Sequence, residues 1–85
     1  MARYFFDTFD GEQEYRDSDG MECDSRETVR REATSSLPDL ARELLPDGSE
    51  RCMKVRVRDE GGRFVFEASL TYCDRWLDEP PSRRV

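Results

Sequence analysis

Histidine is absent from this chain of 85 residues. Its absence removes the imidazole on which Ser-His and Cys-His catalytic pairs depend. The usual zinc and non-haem iron ligand sets go with it. Cysteine is scarce: Cys23, Cys52 and Cys73 are an odd number, at spacings that fit no zinc or redox motif. No secretory leader is expected, because Met1-Ala2-Arg3 runs directly into Tyr4-Phe5-Phe6, too short for an apolar leader core. No apolar run approaches the roughly 20 residues of a membrane-spanning helix. These deficits point to a cytoplasmic protein with reduced thiols and no membrane association. Positive charge is also short: 14 basic residues face 20 acidic ones, for a net charge of −6. That argues against a nucleic-acid binder, which must neutralise phosphates. Lys54 is the only lysine, and the arginine excess reads as coding composition, with no functional weight.

What remains is 35% hydrophobic and 40% charged, near the limit of what folds. A chain of this size buries only about 60% of its unfolded surface. The apolar residues are clustered and periodic, so they read as a small core under an ionic surface, not as disorder.

Residues 3–9 are aromatic-rich and precede Asp10-Gly11, a strong hairpin signal. A two-residue loop there would set Phe9 opposite Glu12, Phe6 opposite Tyr15 and Tyr4 opposite Asp17. Tyr4, Phe6 and Tyr15 would then face the core. Phe5, Asp7, Phe9, Glu12 and Glu14 would share the other face, with Asp7 and Glu14 in a destabilising opposition. A turn at 17–20 and a short extended link at 21–23 follow. Asp24 or Ser25 is placed to cap a helix, whose apolar stripe runs through Val29, Ala33, Leu37, Leu40, Ala41, Leu44 and Leu45. Pro38 interrupts it, costing a backbone hydrogen bond. The apolar phase continues unbroken, which predicts one kinked helix. Thr34, Ser35 and Ser36 could bond the carbonyl that Pro38 frees, and Pro46 and Gly48 would end the helix.

Residues 51–59 alternate, with Met53, Val55 and Val57 on one face and Lys54, Arg56 and Arg58 on the other. Gly61-Gly62 turns the chain into a last strand, with Phe64, Phe66, Ala68, Leu70 and Tyr72 inward and Val65, Glu67, Ser69, Thr71 and Cys73 outward. Arg75-Trp76-Leu77 could fold over the sheet edge. The expectation is one α+β domain over residues 1–77, of ββαββ type: a mainly antiparallel four-stranded sheet with one kinked helix on one face. Residues 78–85, with Pro80-Pro81, read as a disordered tail.

Each candidate site has a plainer reading beside it. Asp17, Asp19 and Gly20 resemble a fragment of a calcium loop, but the spacing and terminal Glu are missing, so a solvated turn is the reading. Cys52 and Cys73 fall on the open face near Lys54 and Arg75 without evidence of reactivity. No catalytic, cofactor-binding or metal-binding residue is assigned, no small-molecule substrate is evident, and the chain does not read as an enzyme. The acidic row Asp7, Glu12 and Glu14 and the basic row Lys54, Arg56 and Arg58 would neutralise one another if the first and third long strands were neighbours. The distinctive remainder is apolar residues facing away from the helix: Phe5, Phe9, Val65 and Trp76. They mark an interface with a second copy or another protein, unless the C-terminal segment covers them. The alternative is a sheet-surface nucleic-acid binder using Tyr4 or Phe5 with Lys54, Arg56 and Arg58.

The opening Met1 to Phe6, the turns Asp10-Gly11 and Asp17 to Gly20, and the Leu37-Pro38-Asp39-Leu40-Ala41 and Leu45-Pro46-Asp47-Gly48 steps form an ordered set. With Val55-x-Val57-x-Asp59 and Ala68-x-Leu70, they resemble a family of short bacterial proteins catalogued as a domain of unknown function. The resemblance reaches about Trp76. It implies a small cytoplasmic ββαββ domain and no catalytic residues. The three cysteines are departures from it. Together these readings lead to the expectation of a non-catalytic interaction or regulatory module, self-associating through the open sheet face.

Overall fold

The computed structural model describes residues 1–44 and 50–78. The architecture is α+β. Strands β1 (Ala2–Phe9), β2 (Glu14–Tyr15) and β3 (Met21–Cys23) precede helix α1 (Arg26–Leu44), and β4 (Glu50–Arg58) and β5 (Phe64–Cys73) follow it. The sheet order is β2-β1-β4-β5, with β3 also on β1, and every pairing is antiparallel. The expected neighbourhood of β1 and β4 is therefore present.

Alternation puts β4 at the centre. Met53, Val55 and Val57 are fully buried against Val29, Ala33 and Leu37 of α1, with Cys23 beside them. Each such aliphatic side chain contributes about 1.5–3 kcal/mol. Tyr4, Phe6, Leu40, Ala41, Val65, Phe66, Ala68 and Tyr72 ring this core. Ser25 is the cap: its Oγ accepts the Thr28 N–H at 3.2 Å. Helix α1 runs through Pro38 as a single element. The hydroxyls of Thr34, Ser35 and Ser36 donate to the carbonyls of Arg30, Arg31, Glu32 and Ala33, and not to that of Thr34, the one that Pro38 frees. The Leu45-Pro46-Asp47-Gly48 step and residues 79–85 of the expected tail lie outside the described residues.

Four local expectations are corrected. First, Thr8 pairs with Tyr15 and Phe9 with Glu14, so the hairpin loop spans residues 10–13 instead of two residues. The Asp10 carboxylate accepts the N–H groups of Glu12 and Gln13, both at 2.8 Å, and so stabilises a wider loop. Gly11 turns it at φ 104°. The shift keeps the faces but separates Glu14 from Asp7.

Second, residues 21–23 are a strand, not a link: Ala2, Arg3 and Tyr4 pair with Cys23, Glu22 and Met21. One long strand is thus flanked by two short ones with an excursion between them. Third, a bulge opposite Val57 and Arg58 pairs Val57 with Phe66 but Arg58 with Phe64. Val65 therefore packs against the core, and Phe64 turns to the open face. Fourth, Tyr15 and Trp76 are exposed, Trp76 by 77%, so Trp76 does not cover the sheet.

Candidate functional site

The odd residues of β1 and the even residues of β4 share the face away from α1. Asp7 lies across from Arg56, yet its carboxylate takes the guanidinium of Arg58: Nε to Oδ2 at 2.8 Å and Nη2 to Oδ1 at 2.9 Å. This fork is the strong geometry for an ion pair. Both groups are withdrawn from water, Asp7 to 3% exposure and Arg58 to 8%. The Phe5 ring lies 5.0 Å from the guanidinium carbon, a cation–π contact.

The excursion between β2 and β3 closes over the pair. Arg58 Nη2 also donates to the Asp17 carbonyl at 2.8 Å, and the Asp17 N–H donates to Asp7 Oδ1 at 2.9 Å. The Asp17 carboxylate accepts N–H groups from Phe6, Asp19 and Gly20 at 3.0, 3.0 and 3.2 Å. It thereby supplies β1 with the acceptor that a continuous edge strand would have provided. Gly20 is required there: its φ is 75°, and a Cβ would lie 2.9 Å from Phe5 and 3.0 Å from the Tyr4 carbonyl.

Arg58 holds the Asp7 carboxyl below its ordinary value, against the upward push of burial, with the Asp17 N–H assisting. At Asp17 burial pushes upward, but the three donated N–H groups outweigh it and the result is again a lowered value. Both carboxyls are stabilised as anions, and their bonds are to the fold. The cluster is a structural pin.

The rest of the open face follows the same pattern. Arg56 binds Glu67 at 2.9 Å and lies 5.7 Å from the Phe64 ring. Lys54 joins Phe9, Thr8, Glu14, Asp7 and Arg56 around a hollow of about 220 Å³. The basic row is thus largely neutralised inside the chain, and Phe64, 52% exposed, is the most open aromatic group of the face.

Of the four residues expected to form an interface, Phe5 and Phe9 share this face. Val65 lies on the core side, and Trp76 lies beyond the end of β5. Phe64 was missed because strict alternation cannot reveal a bulge. A second hollow of about 460 Å³ lies between the start of α1 and the β4–β5 turn, lined by Tyr4, Arg26, Val29, Arg63, Val65 and Phe66, with Asp59 at its rim. The Asp59 carboxylate is engaged by the N–H groups of Gly61 and Arg63, both at 2.9 Å.

The cysteines are free thiols. Burial, with Glu32 and Asp24 nearby, pushes the Cys23 thiol up and away from reactivity. Cys52 pairs with Thr71 and Cys73 with Glu50, so they are not opposed. Among the described residues, no group of acidic and thiol side chains could hold a metal ion. Among the same residues, no helix is long and apolar enough to cross a membrane.

No curated protein and no solved structure matches this chain. A family model, the domain of unknown function DUF6894, matches residues 3–71. That span holds the Asp7–Arg58–Asp17 pin, the whole of α1 and nearly all of the sheet, and the chain belongs to the DUF6894 family.

Proposed function

We propose that the domain is a non-catalytic protein-interaction module that associates with a second copy through the open face of its sheet. The supporting observation is the bulge, which turns Phe64 out beside Arg56 on a face that also carries Phe5 and Phe9. The helix packs only on the other face. A domain this small has a thin margin of stability, and association of folded copies adds to it by mass action. Nucleic-acid binding has weaker support, because Arg58 and Arg56 are bound to Asp7 and Glu67.

Sedimentation equilibrium over a range of concentrations, with and without reductant, tests this reading. The wild-type mass is expected to rise with concentration in both conditions. Phe64→Asp and Phe9→Asp are expected to suppress the face contact. Wild type that stays monomeric throughout, or face variants that associate as well as wild type, would sink the reading.

A further inference from the structure

The two edges of the sheet are built differently. On one side, β2 and β3 have two and three residues, separated by the excursion at 16–20, and carry Glu14 and Glu22. Short, charged, broken edges resist strand addition. On the other side, β5 is ten residues long and, beyond the bulge at Val65, regular over 66–73, with Glu67 as its one charged residue and no proline. Among the described residues, no strand pairs with its outer side.

The backbone direction of this edge follows from the register. Phe6 gives its N–H to Asp17, so the even residues of β1 turn their backbone groups away from β4. Through the pairings Asp7–Arg56 and Val55–Ala68, the alternation leaves Glu67, Ser69 and Thr71 with N–H and C=O on the free side. All three residues are exposed.

We infer that β5 docks antiparallel against β5 of a second copy, about a twofold axis at Ser69, joining two sheets into one. The occupant follows from the asymmetry of the edges. The regular stretch at 66–72 is matched in length by the same stretch of a second copy, and the opposite edge of this chain, with strands of two and three residues, offers no such match. Antiparallel pairing of identical edges is isologous and closes at two copies. With the axis at Ser69, Glu67 meets Thr71, Phe66 meets Tyr72, and exposed Leu70 is covered by Ala68 of the other copy. An axis at Glu67 would oppose two carboxylates, which is destabilising.

The inference rests on self-association but names a contact separate from the open face. A perpendicular twofold leaves both open faces on the same side, so the edge and face contacts can be broken independently.

Amide hydrogen exchange on the intact chain at high and low concentration, read by NMR, tests the edge. Glu67, Ser69 and Thr71 are expected to be protected at high concentration and to lose protection on dilution, in step with the mass. Thr71→Glu, which sets a second carboxylate opposite Glu67 at both symmetric positions, is expected to raise the edge-dimer dissociation constant by roughly tenfold. Ser69→Pro, which removes an outward N–H and leaves the β4 ladder intact, should have the same effect. Phe64→Asp should leave these amides protected, which separates failure of the face from failure of the edge. Fast exchange of the three amides in an associated sample would overturn the inference. So would protection that persists in a monomer, or association unaffected by Thr71→Glu.

Discussion

Asp7 and Arg58 leave water together, and the cost of desolvating two charges is offset by the bonds that they make to one another and to Asp17. The fork takes both carboxylate oxygens, Asp17 supplies a carbonyl and an N–H, and Phe5 lies beside the guanidinium. Such a pair adds little net stability over an apolar substitute, but removing one partner strands the other. Asp7→Ala is expected to destabilise the fold by about 3–5 kcal/mol, measured by urea denaturation. A loss below about 1 kcal/mol would mean that Arg58 regains water freely. Part of this was legible beforehand: Asp7 and the basic row fall on one face by alternation, and their mutual neutralisation follows from the charge pattern. The choice of Arg58 over Arg56 was not legible, since it depends on register and on an excursion that buries only one of them.

Among the elements, α1 was the most readable because its signals are local. Ser25 stands immediately before the apolar stripe and binds the N–H three residues on. Ser25→Ala is expected to cost about 1 kcal/mol, seen as a lower urea midpoint with an unchanged slope. No change in the midpoint would transfer the capping role to Asp24, whose carboxylate accepts the Thr28 hydroxyl at 2.7 Å. The first hairpin and the last strand were less readable. Asp10-Gly11 signals a turn, but the Asp10 side chain and its carbonyl, which accepts Arg51 Nε at 2.7 Å, stabilise a longer one. The bulge that exchanges Phe64 and Val65 has no local signature; it arises where β5 must leave the β4–β5 turn and still place Phe66 on the core.

For the whole molecule, acid is the sharpest probe. Asp7, Asp10 and Asp17 all have folded values lowered from the ordinary 3.8. A carboxyl lowered on folding contributes its stability in full above the ordinary value and loses it as pH falls through the lower folded value. The melting temperature, followed by circular dichroism, is expected to be flat near neutrality and to fall steeply below about pH 4. Asp7→Asn should have a shallower fall from a lower plateau. A wild-type melting temperature at about pH 2.5 equal to that at neutral pH would contradict the linkage.

Period-two alternation, helical spacing, the capping serine and the turn glycines act within a few residues. The amino-acid sequence therefore determined the α+β class, the single helix and its buried face, the burial of Met53, Val55 and Val57, and the shared face of Asp7 with the basic row. Pairing register, the five-element sheet, the bulge at Val65 and the partner of Asp7 depend on contacts between residues far apart in the chain. Their energies differ by only a few hydrogen bonds between neighbouring alternatives, so only the tertiary structure decided them. It also decided which aromatic group reaches the open face and which edge of the sheet, among the described residues, has no further strand.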